Sequence, residues 1–342
     1  MSQLQEHLRQ FEEVIDPDRY DAIEQAYRNL FAWQEMDPLP YIWSSMPPVA
    51  DDDWPAPAYN DTVADRELML LDQLRPCFLH HQVGDHFPLC IRANYGTVIL
   101  PSILGAEWQL TENSMPWAHH LPSRDAIRAV VDRGIPDLRT GLGGTCLDTA
   151  SYYREALAPY AKLAHYCRIY HPDLQGPFDV AHLLWGPDIF LCLYDDPDLV
   201  HRLLDVVTET YIAYLQAWRE HVGEDQPWTA HWTFLMRGAA MLRDDTPVML
   251  RTAQYEEFVK PYDQRILDEF GGCIHYCGCG NQFIESMSTS RNLYGVNISQ
   301  PDWNNMERFW RAVTANHLVV LGIDEAYVPA DTRRGVVVQR AY

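Results

Sequence analysis

Residues 273–323 read CIHYCGCGNQFIESMSTSRNLYGVNISQPDWNNMERFWRAVTANHLVVLGI. Three short apolar segments, CIHYC, LYGVNI and HLVVLGI, alternate with two helix-like ones, NQFIESMS and WNNMERFWRAV. Strand and helix alternating at this pitch predict parallel βα units, because a parallel strand needs a crossover long enough to hold a helix. Right-handed crossovers closing eight such units give a (β/α)8 barrel, TIM-like, with the helices outside. An open doubly wound sheet satisfies the same alternation.

The same texture extends upstream to about residue 88. PLCIRANYG reads as a strand stopped by Gly96, SRDAIRAVVDRG as a helix from Ser123 to Gly134, and HYCRIYHPDLQGPFDVAHLLWG as strand-like with a Gly-Pro break. DPDLVHRLLDVVTETYIAYLQAWREH is a long amphipathic helix, and GVVV after the third unit is a last strand. Residues 1–87 differ. QLQEHLRQFEEVI, RYDAIEQAYRNLFAWQ and DRELMLLDQLRPCFLHH are helical, and MDPLPYIWSSMPPVADDDWPAPAYND between them reads as a long Pro/Asp-rich surface loop. The expectation is one structural domain of α/β class: an N-terminal helical extension (1–87) packed on a barrel (88–342).

Composition narrows the function classes. The 342 residues carry 48 acidic and 26 basic side chains, a net charge of −22, which repels phosphate backbones and argues against nucleic acid as a partner. No apolar run approaches the roughly 20 residues a membrane-spanning helix needs, and MSQLQEHLRQFEEV has no apolar stretch after a basic start. The eight cysteines follow no disulfide framework, so they are expected as reduced thiols in the cytoplasm. Lys162 and Lys260 are the only lysines, and both sit on patterns that look like helix ends, which disfavours a Schiff-base lysine. P-loop, dinucleotide-fingerprint, H-E-x-x-H and G-x-S-x-G patterns are absent.

The chemistry concentrates in GGCIHYCGCGNQF, 271–283. Alternate side chains of a strand share a face, so His275 and Cys277 project together, while Gly278 and Gly280 end the strand and leave Cys279 in the loop beyond. Imidazole and thiolate side by side suit Zn²⁺, which takes N and S donors and keeps a position open in catalytic sites. Cysteine is also among the most buried residue types, so packing explains the same pair. The spacing is C-x-C, not the C-x-x-C of thiol redox sites.

IHYCGCGNQFIESM and LYGVNISQPDW resemble the uroporphyrinogen decarboxylase superfamily. The resemblance continues through NYGTVILPSILGAEWQ, residues 173–215 and residues 242–267, covering roughly 88–325. It implies a (β/α)8 barrel. The decarboxylases' arginine-rich N-terminal segment is missing, since the corresponding region has only EMDPLPYIWSSMPP. The methyltransferase branch carries H-x-C, matched by His275 and Cys277, plus a late third cysteine, and no cysteine follows Cys279. The resemblance therefore implies a zinc site on His275 and Cys277 completed by Cys279, Asp324, Glu107 or another histidine. The implied activity is methyl transfer from a methyl-corrinoid on a partner protein, or a small methylated donor, to a thiol such as coenzyme M. A metal-free decarboxylase acting on a carboxylated, tetrapyrrole-type substrate and a non-enzymatic corrinoid- or tetrapyrrole-binding protein are the alternatives.

Strand ends and the family pattern supply further candidates. Asp244 and Asp245 in LRDDTP and His231 in TAHWTFL are the acid/base candidates. Asn94, Tyr95, Asp173, Gln175, Asn297, Gln300 and Arg92 are candidates for holding substrate. Arg237 and Arg251 are further anion clamps. Each has a plainer reading as a turn residue, a cap, a core histidine or a solvated ion pair.

Overall fold

The computed structural model describes residues 2–49, 53–223 and 227–342. Its strands are β1 (Tyr41–Ser45), β2 (Cys90–Ile91), β3 (Trp108–Gln109), β4 (Trp117–Ala118), β5 (Arg168–Ile169), β6 (Trp228–His231), β7 (Phe234–Arg237), β8 (Ala240–Arg243), β9 (Gly272–Tyr276), β10 (Leu293–Ile298), β11 (Val319–Asp324) and β12 (Val336–Ala341). Six of them form one parallel sheet in the order β1-β12-β11-β10-β9-β8, and β2 and β5 pair parallel as a second. The α/β alternation read from residues 273–323 is thus present. β8 to β12 lie side by side in chain order, with helices Thr252–Phe258 and Lys260–Phe270, Ile284–Ser288, and Met306–Ala315 in the first three crossovers.

What pairs as continuous sheet is six strands plus two. Isolated hydrogen bonds connect the groups at both edges. At one edge His86 N–H donates to Tyr41 O (3.0 Å) and Trp43 N–H to Asp85 Oδ2 (2.9 Å). At the other, Gly176 N–H donates to Arg243 O (2.9 Å) and Met241 N–H to His171 Nε2 (3.2 Å).

All five residues of β9 are buried, as are Val319 to Ile323 of β11. Both faces of these parallel strands are covered, which is why their sequences read as largely apolar runs, interrupted in β9 by His275. Gly272 opens β9 where the chain runs against β8: a Cβ there would lie 1.9 Å from Ala240 O, so only glycine fits.

Two features depart from the sequence reading. The expected loop after residue 35 contains β1, which pairs with the C-terminal strand β12, so the sheet draws on the N-terminal 87 residues as well. The antiparallel hairpin β6–β7 was not foreseen. Its tip lies between the two groups of strands: Trp232 O accepts from Cys90 Sγ of β2 (3.0 Å), and the Phe234 ring abuts Gly322 of β11.

The N-terminal helices Gln3–Val14, Pro17–Phe31 and Arg66–Val83 form as their sequences predict. Ser2 and Gln5 make a capping box on the first, and its Glu12 accepts from the backbone N–H groups of Lys162 and Leu163. Among the described residues no helix is long and apolar enough to cross a membrane. All eight cysteines are free thiols.

Candidate metal centre

The carboxyl ends of β8, β9 and β10 bring together the side chains that matter. Strand pairing sets Arg243 beside His275 and His275 beside Asn297. Asp244 N–H still donates to His275 O (2.8 Å), extending the ladder by one residue, and Asp245 then emerges just past it. Cys277 does the same at the end of β9, where its N–H donates to Asp245 Oδ1 (2.7 Å).

His275 Nε2 is 3.2 Å from Cys277 Sγ and 3.4 Å from Asp245 Oδ1. One ligand atom from each of the three residues lies within 4.8 Å of the other two, and no other such group occurs among the described residues. His275 is buried, whereas Cys277 and Asp245 are partly open. Burial works against a charged ring, but hydrogen bonds with Asp245 and Cys277 outweigh it and hold the His275 pKa up at about 9. Burial likewise opposes ionisation of Asp245, and the His275 ring beside it outweighs that, holding the carboxyl below its usual range. The atoms that hydrogen-bond here are the same ones that could hold a cation.

Around this trio, Cys277 Sγ–H donates to Ser299 Oγ (3.4 Å), and Gln300 Oε1 accepts from Gly278 N–H (2.5 Å), pinning the loop after β9. The Trp232 indole stands edge-on to His275 with ring centroids 4.8 Å apart. On its face lies the Arg243 guanidinium, 4.5 Å from the ring centroid. Arg243 and Arg92 both donate to Asp173 Oδ1, and Arg243 also donates to His231 Nε2 (3.0 Å). Two guanidinium groups on one buried carboxylate leave a net positive charge beneath the trio, and they hold the Asp173 carboxyl ionised although burial opposes it.

The sequence candidates separate accordingly. His275 and Cys277 are in the trio. Cys279, Asp324 and Glu107 are not: Cys279 Sγ accepts from Asn281 Nδ2 (3.2 Å), Asp324 caps Ala326 N–H at an exposed turn, and Glu107 is exposed. Asp245, read as a general acid/base, is the third member of the group that could hold a metal ion. Its neighbour Asp244 faces the opposite way, fully buried toward Asp263 and Asp179, and burial raises its pKa far above the usual carboxyl range. It has no part in the trio. His231 is a core histidine kept neutral by burial and packed on Tyr170, His171 and Trp232.

Among the expected substrate ligands, Arg92 and Asp173 are committed to the buried ion network. Tyr95 OH is paired with Thr149 Oγ1 (2.8 Å), Asn297 with His275, and Gln300 with the loop backbone. Asn94 and Gln175 are buried, and Asn94 Oδ1 has no partner. Arg237 covers the Tyr294 ring, and Arg251 stands exposed at the N-cap position of helix Thr252–Phe258, where its backbone N–H donates to Gln254 Oε1 (3.1 Å). Sequence reasoning missed Trp232 and Ser299. Trp232 has φ +51°, where glycine is the ordinary choice, so its turn carries no sequence signature.

No protein-family model and no curated protein sequence matches this chain. Among solved structures, a methyltransferase from Methanosarcina mazei is similar in fold, with a TM-score of 0.60 at 16% sequence identity, over 86% of this chain and 80% of that one.

Proposed function

We propose that the chain is a zinc-dependent methyltransferase of the uroporphyrinogen decarboxylase-like superfamily, acting in the cytoplasm. On this reading the six- and two-stranded sheets are arcs of one (β/α)8 barrel. A methyl group passes from a methyl-corrinoid carried by a partner protein, or from a small methylated donor, to a thiol. The observation that carries the reading is the convergence of Asp245, His275 and Cys277 at the carboxyl ends of neighbouring parallel strands, where barrel active sites are built.

The donor set fits zinc. One imidazole, one thiolate and one carboxylate are all zinc ligands, and three protein ligands leave the open position of a catalytic site. Their two negative charges balance a dication. Bound zinc would supply deprotonation of the acceptor thiol, which with a pKa of ~8.5 is otherwise mostly protonated at neutral pH. The chain's own share is positioning. Asp245 ties the two strand ends together through the Cys277 N–H, Gln300 holds the loop, and Trp232 walls one side of His275 against water. The decarboxylase alternative needs arginines free to take a carboxylate, and Arg92 and Arg243 are already engaged by Asp173.

Metal analysis of purified protein, followed by incubation with methylcobalamin and coenzyme M, tests the proposal. The expected result is about one zinc per chain and thiol methylation that chelation and His275→Ala abolish. Protein without zinc, whose turnover survives both treatments, would sink it. Release of CO₂ from a carboxylated tetrapyrrole, unchanged in Cys277→Ser, would instead support the decarboxylase.

A further inference from the structure

Asn297 is one strand away from His275, and β9 and β10 pair the two residues directly. Its buried amide is engaged at both ends. Oδ1 lies 2.6 Å from His275 Nδ1, while Nδ2 donates to the carbonyl oxygens of Leu321 and Gly322, the second at 3.5 Å. Carbonyls only accept, so the amide nitrogen must face them and the amide oxygen must face the imidazole. An amide oxygen also only accepts. The ring proton therefore sits on Nδ1, and Nε2 is the atom turned toward Cys277 and Asp245.

β11 makes this arrangement possible through a bulge. Leu321 pairs with Val337 and Ile323 with Val338, so Gly322 is an extra residue in the strand, and its φ is +73°. Two successive carbonyls consequently reach one amide. The hairpin β6–β7 leaves no room for a side chain at this bulge, because a Cβ on Gly322 would lie 2.2 Å from Phe234 Cζ.

We infer that Asn297 is a positioning residue of the metal centre: backed by the Gly322 bulge, it fixes His275 as the Nδ1–H tautomer and presents Nε2 to the ion. This rests on the metal-binding reading above and adds a determinant of ligand strength that touches neither metal nor substrate. Partners of this kind are worth roughly 10–100-fold in metal affinity.

Two substitutions isolate the role. Asn297→Leu removes the acceptor at similar size; Asn297→Asp keeps an oxygen on Nδ1 but turns a second oxygen onto two carbonyls. Zinc affinity is read by competition with a chromophoric chelator. The tautomer is read from long-range ¹H–¹⁵N spectra of the imidazole, recorded with zinc and, at a pH above the ring's own pKa, without it.

The wild type should carry its proton on Nδ1. Asn297→Leu should bind zinc roughly 10–100-fold more weakly and lose the Nδ1–H signature when metal-free. Asn297→Asp should keep both the signature and the affinity while its thermal stability falls, a split that a purely structural role does not produce. Wild-type zinc affinity in Asn297→Leu, or a wild-type proton on Nε2, overturns the inference. If Asn297→Leu does not fold, Asn297→Asp decides, and loss of its affinity together with the Nδ1–H overturns it too. A wild type that binds no zinc removes the metal reading, while the metal-free spectrum still decides the tautomer.

Discussion

If the trio binds zinc as proposed, the ion and a proton compete for His275, and the contest has a calculable size. With the ring's pKa at about 9, its proton must be displaced at pH 7 before Nε2 can bind a metal. Two pH units correspond to about 2.7 kcal/mol, or roughly 100-fold in apparent affinity. From about pH 7 to about pH 9 the zinc dissociation constant should therefore fall about tenfold per unit on this account, and then flatten. The metal-free protein should behave oppositely. A histidine whose folded pKa is raised contributes its stability fully below the unfolded value of about 6.5 and loses it as pH rises through about 9. Roughly 3 kcal/mol of stability should disappear across that window, since each unit is worth about 1.4 kcal/mol. Chelator competition over this range, with calorimetry in two buffers of different ionisation enthalpy, measures the proton release directly. Asp245→Asn removes the partner that most raises the His275 pKa, so it should weaken binding and also flatten its pH dependence. Zinc affinity independent of pH between about 7 and 9 would refute the proton-for-metal exchange.

Three further outcomes are expected. His275→Ala, Cys277→Ser and Asp245→Ala should each strip the metal, whereas Cys279→Ser, Asp324→Asn and Glu107→Gln should retain it; metal content of the six purified variants distinguishes the sets. Asp173→Asn leaves the buried Arg243 and the largely buried Arg92 guanidinium groups without their carboxylate and should destabilise the fold by about 3–5 kcal/mol in denaturant titrations; a cost under about 1 kcal/mol means that solvent reaches the network. Burial pushes the Asp263 carboxyl up to about 7, next to Asp244, so the fold favours its neutral form and stability falls as pH rises from about 4 to about 7. Asp263→Asn should flatten that fall, and an unchanged slope counts against it.

How much of this was legible in the sequence depended on whether local pattern or register decided the matter. The buried strands CIHYC, LYGVNI and HLVVLGI were legible because burial on both faces writes a largely apolar run, even with His275 and Asn297 in it. The His275–Cys277 pair was legible because strand alternation is local. Asp245 was not, because the Asp-Asp pair reveals its two faces only when the ladder is known to end at Asp244. Asn297 was likewise read as a substrate ligand: its partner is 22 residues away, and only the β9–β10 register joins them. β1 went unseen because Pro and Asp on either side swamp the strand-forming Tyr41-Ile42-Trp43. Gly278 and Gly280 already place Cys279 in the loop, and it enters the ligand set only through the resemblance; Gly278, at φ +99°, does turn the chain after Cys277.

Asp245 as the proposed third ligand would alter the chemistry of the centre, not only its composition. The resemblance leads one to expect a late cysteine, and a carboxylate stands in with the same charge but a harder donor atom. One thiolate instead of two donates less electron density to the metal at the same total charge and weakens the preference for soft ions. Cadmium makes the difference visible, because thiolate-to-cadmium charge transfer absorbs in the ultraviolet in proportion to the number of sulfurs bound. The wild type should give the absorbance of one thiolate, unchanged in Cys279→Ser. Asp245→Cys should give that of two and shift the balance of affinities from zinc toward cadmium. Its overall gain should be limited, since the new side chain loses the 2.7 Å bond that Asp245 accepts from the Cys277 N–H. Absorbance of two thiolates in the wild type, halved in Cys279→Ser, would mean that the loop closes onto the ion and that Cys279, not Asp245, completes the site.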